Sequence, residues 1–147
     1  MNSLFRVSER HHSGLILMTE LAVLFDEGRY VSLTEIADSM HISAGYLEEI
    51  AQRLKEKELI QGRKGPSGGY RLTRAPSTIS AKEIIEAIEG PINLVECQSG
   101  ATCLVQAHCM SKHLWSGLQE KMIEALQKTK CLFGPCGNHA DRRTRRP

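Results

Sequence analysis

Missing from this 147-residue sequence is any long uninterrupted hydrophobic run: its most apolar stretch, LILMTELAVLF, is broken by Glu20 and preceded by Arg6, Glu9, Arg10, His11 and His12. No small-residue cleavage site accompanies it, so the beginning of the chain reads as neither a membrane span nor a signal peptide. A cytoplasmic location without a membrane partner is the default expectation. An even cysteine count is lacking too. With five cysteines and no export signal, a disulfide framework explains little, and reduced thiols for metal or redox chemistry gain weight. Strong net charge is absent, and at +2 the balance names no partner by itself. No nucleophile–base pair or phosphate-binding loop stands out, so an enzyme is not expected. Internal repeats and low-complexity segments are missing apart from the arginine-rich tail RRTRRP.

What is present is enough apolar residue, 41%, for one ordinary core. From about Ser13 to Phe25 the apolar positions cover most of a helix surface, and Asp26, Glu27 and Gly28 end it. Ser32 and Glu35 then form a capping-box pattern opening a helix with the stripe Leu33, Ile36, Ala37 and Met40. After the turn His41, Ile42, Ser43, a second helix is expected from Ala44 to Lys57, with Leu47, Ile50, Ala51 and Leu54 inward. Two short helices joined by so tight a turn describe a helix-turn-helix. The following LIQGRKGPSGGYRLTR places Gly65, Pro66, Ser67, Gly68 and Gly69 between apolar flanks, the signature of a β-hairpin. Helix-turn-helix plus basic hairpin predicts a winged helix, a mainly α fold with a small β-hairpin wing.

Ser80 and Glu83 form a second capping-box pattern, starting a helix that Gly90 and Pro91 stop near Glu89. A cysteine-bearing loop follows. From about Ser111 to Lys130, Leu114, Trp115, Leu118, Met122, Ala125 and Leu126 recur at helical spacing. A stripe that long, reached only through a loop, needs another surface to cover it, which predicts a homodimer through this helix. The expected division is a DNA-binding unit over 1–78, a cysteine loop and dimerisation helix over 79–130, and an extension over 131–147.

Basic residues crowd between Arg53 and Arg74, compatible with phosphate contacts or with an ordinary solvated surface. Ser43, Ala44, Gly45 and Tyr46 stand at the end of the recognition helix that enters the major groove of double-stranded DNA. Farther along, Glu48 has the chemistry to accept from cytosine and Gln52 to pair with adenine, although Glu48 also suits a helix's first turn. Arg53 is grouped with them. On the wing, Arg63 and Lys64 flank a tip, with Ser67 and Gly68, slim enough for the minor groove.

In CQSGATCLVQAHC, Cys97, Cys103 and Cys109 are separated by two equal gaps of five residues. Three thiolates on one loop suit a soft metal centre, and Gly100, Ala101 and Ala107 leave the chain room to wrap. Zinc sites usually pair cysteines about two to four residues apart, unlike these gaps. Iron–sulfur clusters tolerate more varied spacing and accept histidine in place of a thiolate, so a fourth ligand is expected from elsewhere. Three unrelated thiols are the plainer alternative. Cys131, Cys136 and His139 in CLFGPCGNH make an incomplete zinc set, read as part of an incidental extension.

On these stretches the chain resembles the dimeric winged-helix, iron–sulfur transcription regulators of the IscR/NsrR type. ISAGYLEEIAQRLKEKELI, GRKGPSGGYRLTR, IEGPINLVEC and the three spaced cysteines carry the resemblance, from about Phe5 to Lys130. It implies that the wing reaches the minor groove, that the long helix makes the dimer, and that Cys97, Cys103 and Cys109 hold an iron–sulfur cluster. Its nuclearity stays open, with [2Fe-2S] favoured over [4Fe-4S]. IscR-like members carry a histidine three residues after the last cysteine; this chain has Lys112 there and His113 next. NsrR-like members draw the fourth ligand from the first helix of the other subunit, where His12 is the nearest match, with Glu9 and His11 close by. The expected function is a transcription regulator, a repressor on a palindromic operator, whose cluster senses redox state, nitric oxide or cluster supply. Two readings stay beside it: a cluster-free regulator that switches through its thiols, and an iron–sulfur electron-transfer or carrier protein.

Overall fold

The computed structural model describes residues 7–131. The first helix, α1 (Glu9–Val23), starts earlier than its apolar stripe suggests because the Ser8 hydroxyl accepts from the His11 backbone N–H and caps it. A short 3₁₀ turn, Phe25–Glu27, and Gly28 in the left-handed conformation close it. Helices α2 (Leu33–Met40) and α3 (Ala44–Glu56) follow, joined through His41. The stripes expected from sequence are the buried ones, apart from Met40, which packs half-buried at the edge of the core. The cap expected at α2 forms with its serine bond displaced by one residue. The Ser32 hydroxyl accepts from Thr34 N, and the Glu35 carboxylate lies 3.6 Å from the Arg29 guanidinium.

Strands β1 (Ile60–Arg63) and β2 (Gly69–Leu72) pair antiparallel, Ile60 opposite Leu72 and Arg63 opposite Gly69. Val31 and Tyr70 exchange backbone hydrogen bonds of 2.9 and 2.8 Å, which stitches the wing to the segment entering α2. Glycine is required at the join: Gly69 has φ +134, and a Cβ there would lie 2.3 Å from the Val31 carbonyl oxygen.

Helix α4 (Ala81–Glu89) opens with both halves of its capping box in place, Ser80 Oγ accepting from Glu83 N and the Glu83 carboxylate accepting from Ser80 N. It crosses α1 so closely that a Cβ on Gly14 would lie 2.1 Å from Ile88 Cδ1. One core therefore joins α1, α2, α3 and α4 across residue 78. After two short turns in the cysteine loop, α5 (Ser111–Lys128) runs back along α4. It is not held by a loop alone. Beyond its end, Ala81 N donates to Thr129 O and Cys131 N to Ile79 O, each at 2.8 Å. Cys131, expected in the extension, is 5% exposed and belongs to the core, because this return segment lays it against α1. Cys136 and His139 lie outside the described residues. Among the described residues no helix is long and apolar enough to cross a membrane.

Candidate nucleic-acid interface and metal centre

The helix-turn-helix and the wing present one set of polar groups. Ser43, Ala44 and Gly45 are exposed where α3 begins, and Tyr46 packs half-buried against the core. Glu48 is exposed on α3, where it accepts from the Tyr70 hydroxyl of the wing at 2.9 Å. Partial burial, then the Glu48 carboxylate, hold the Tyr70 pKa above its ordinary value. Gln52 donates to Glu56 at 3.3 Å. Arg53 points away from this group: its Nη1 donates to the Ile88 carbonyl at 2.8 Å, and its Nη2 stands 3.8 Å from Glu49, which also meets Arg10. That contact caps the end of α4, where backbone carbonyls lack helical partners.

At the wing, Lys64 is exposed, and Arg63 Nη2 donates to the Ser67 carbonyl at 2.8 Å. Gly68 closes the tip by donating to Gly65 O at 2.9 Å, with no room for a Cβ beside Arg63 O. Sequence reasoning missed Tyr30 and Arg71. The Arg63 and Arg71 guanidinium carbons lie 4.5 and 4.7 Å from the Tyr30 ring centroid. The hairpin register held the signal, since it sets Arg63 and Arg71 diagonally on one face.

Cys97, Cys103 and Cys109 are free thiols, each partly exposed, and all three line one cavity of about 320 Å³ between the loop and α5. Val95, Trp115 and Ile123 give it an apolar wall, and Lys112 and Glu120 its charged rim. Gln119 of α5 pins the loop's root by accepting from Leu94 N at 3.1 Å, a donor it shares with Gln98. The Ser111 hydroxyl, 3.2 Å from Cys109 Sγ, is the largest influence holding that thiol below its ordinary pKa, opposed by desolvation and aided by the Ser111 and Lys112 backbone and the Lys112 charge. Burial instead pushes the Cys131 thiol up to about 11.

The structure thus places the three loop cysteines around one cavity and leaves the histidines out of its lining. His113 is exposed in the first turn of α5 and His12 on α1, and neither lines the cavity. His11 lies elsewhere, its Nε2 buried without a hydrogen-bond partner, 3.1 Å from the Glu89 carboxylate that accepts from Ser8 Oγ. Among the described residues no three His, Cys, Asp or Glu side chains are gathered closely enough for a single metal ion. Thiols placed around one cavity and not at one point would suit a polynuclear iron–sulfur cluster better than a single ion, and their soft sulfur donors suit iron.

Comparison with known proteins agrees with this architecture. Residues 7–131 match the Rrf2 family, described as iron-dependent transcriptional regulator. A putative HTH-type transcriptional regulator, ORF2 of Azotobacter vinelandii, is 30% identical over 82% of this chain and 73% of its own length. IscR of Cereibacter sphaeroides is 30% identical over 85% of this chain and 83% of its own. Among solved structures, CymR, the global cysteine regulator of B. subtilis, superposes with a TM-score of 0.73 at 30% identity, covering 86% of this chain and 93% of CymR. T. potens IscR gives 0.70 at 28% identity, covering 86% and 83%. With the winged helix, the cysteine loop and a family match running from one end of the described residues to the other, this chain belongs to the Rrf2 family of transcriptional regulators.

Proposed function

We propose that the chain is a homodimeric repressor that docks its two α3 helices on a palindromic DNA operator, and that an iron–sulfur cluster held by Cys97, Cys103 and Cys109 sets its affinity. The observation that carries this reading is the convergence of the three evenly spaced cysteines on one cavity against α5. When bound, such a cluster supplies one-electron redox chemistry and sensitivity to oxidants. The rest belongs to the chain. The three thiolates gather the loop, and Gln119 ties the loop's root to α5. Arg53 ties α3 to the Ile88 carbonyl, close before Gly90, where the chain leaves α4 for the loop. A gathered loop and a slack one therefore brace α4 and α5 differently, biasing the spacing of two recognition helices that must dock one DNA turn apart. His12 of the other subunit is the proposed fourth ligand, with His113 the alternative.

The test is anaerobic purification with iron, acid-labile sulfide and absorption measurements on the parent and on alanine variants of each loop cysteine. Iron and sulfide in the parent, and a loss of most iron from each variant, are expected. His12→Ala should shift the spectrum more than His113→Ala; the reverse order moves the fourth ligand to α5. A second reading, a cluster-free thiol switch, is favoured by the likeness to CymR structures, one of them an oxidised form from Staphylococcus aureus. A colourless preparation without iron or sulfide, whose duplex affinity still responds to oxidant, would transfer the function to that reading.

A further inference from the structure

Tyr30 precedes Val31, whose backbone pairs with Tyr70 of β2, so the ring rises from a point fixed to the wing's own sheet. Two guanidiniums meet it, Arg63 at 4.5 Å and Arg71 at 4.7 Å from its centroid, both within cation–π range. Both also meet neutral groups. Arg63 donates to the Ser67 carbonyl at 2.8 Å, and Arg71 Nη1 reaches the Gly28 carbonyl at 3.4 Å. With the Gln61 amide turned to satisfy both groups, its oxygen accepts from Arg71 Nε and Nη2 at 2.7 and 3.0 Å. Arg29, by contrast, is paired with Glu27 at 2.9 Å and Glu35 at 3.6 Å.

Two positive charges are thus drawn to one ring. Both line a notch of about 380 Å³ between the wing and the start of α2, whose walls include Ser32, Ser67 and Glu35. Gathering like charges at a fixed place is unfavourable in the free protein and favourable against a polyanion, where each neutralised phosphate releases counterions. The ring removes the long side chains' freedom before the anion arrives, so less ordering remains to be done on binding.

We propose that Tyr30 is a positioning residue for DNA binding: its ring holds Arg63 and Arg71 as a pair in the notch beside the wing, where the phosphates of one DNA strand pass. The inference rests on the DNA-binding reading above and deepens it. Phosphate contacts carry no sequence information, so the probe is a random-sequence duplex, followed by fluorescence anisotropy across a salt series. Tyr30→Phe keeps the ring and should keep the parent's affinity and salt slope. Tyr30→Leu should lower the slope of log affinity against log salt by ~1–2, and Arg71→Gln by ~1. Circular dichroism melting separates this from misfolding. A Tyr30→Leu protein that melts like the parent and keeps its slope overturns the proposal, as does Tyr30→Phe failing equally. Should Tyr30→Leu not fold, Arg63→Gln and Arg71→Gln carry the test, and parental slopes in both overturn it. A parent with no salt-dependent duplex binding overturns the proposed function itself, and this inference with it.

Discussion

Cys109 and Cys131 sit in the same small protein with thiols driven in opposite directions. The Ser111 hydroxyl stabilises the Cys109 thiolate at a partly exposed position, while burial against α1 raises the Cys131 pKa to about 11. Thiolate fraction and access together govern alkylation, so the two rates separate strongly. In folded, cluster-free protein near neutral pH, iodoacetamide should modify Cys109 well before Cys131, which should react only as the protein unfolds. Peptide mass mapping over a time course reads both. Equal rates would mean that the segment returning from α5 does not stay docked on Ile79 and α1.

At the scale of the element, α4 shows how a sequence pattern becomes an anchor. Desolvation acts to raise the Glu83 pKa, but hydrogen bonds from the Ser80 backbone and hydroxyl, together with the Arg74 guanidinium at 2.6 Å, outweigh it and hold the carboxyl below its ordinary value. A depressed folded-state pKa stabilises the fold above the unfolded value, about 4.3, and that contribution disappears as pH falls through the folded value. Glu83→Gln should therefore flatten the acid limb of the stability curve. It should cost about 1 kcal/mol or less near neutrality, since the site is solvent-screened and glutamine keeps part of the box. Urea midpoints across a pH series check this; a variant as acid-sensitive as the parent would remove Glu83 from that role. The box at α4 forms as its sequence pattern suggests even with Arg74 beside it, because Glu83 accepts from Ser80 N through one carboxylate oxygen and from Arg74 through the other. In the similar pattern at Ser32 the hydroxyl accepts from Thr34 N, one residue earlier than the pattern places the bond. The apolar stripes of α2 and α3 and the wing could be read from local spacing, which is enough to fix which face turns inward. Arg53 on the Ile88 carbonyl, Cys131 in the core and the Tyr30 ring against the wing depend on contacts between segments far apart in sequence, and of these local spacing holds only the pairing of Arg63 with Arg71 across the hairpin.

For the whole molecule, α5 is the helix whose packing stands apart. It is anchored beyond its end by the Thr129 and Cys131 backbone hydrogen bonds, yet none of its residues is buried. Leu114 is 71% exposed and Leu118 42%, one turn apart on the same face. An apolar stripe kept rigid and uncovered is poorly suited to water and well suited to a second copy, because a two-fold axis lets one stripe cover itself. If the dimer forms there, Leu114→Glu with Leu118→Glu should yield a monomer by analytical ultracentrifugation, with the circular dichroism of the parent. Each protomer would then find its half-site independently, without the local concentration that tethering provides. Binding to a palindromic duplex should weaken by ~10²–10⁴-fold while binding to an isolated half-site is retained. A variant that remained dimeric would place the two-fold interface on another face. It would also separate the loop's grip on α5 through Gln119 from any control over how the two recognition helices are spaced.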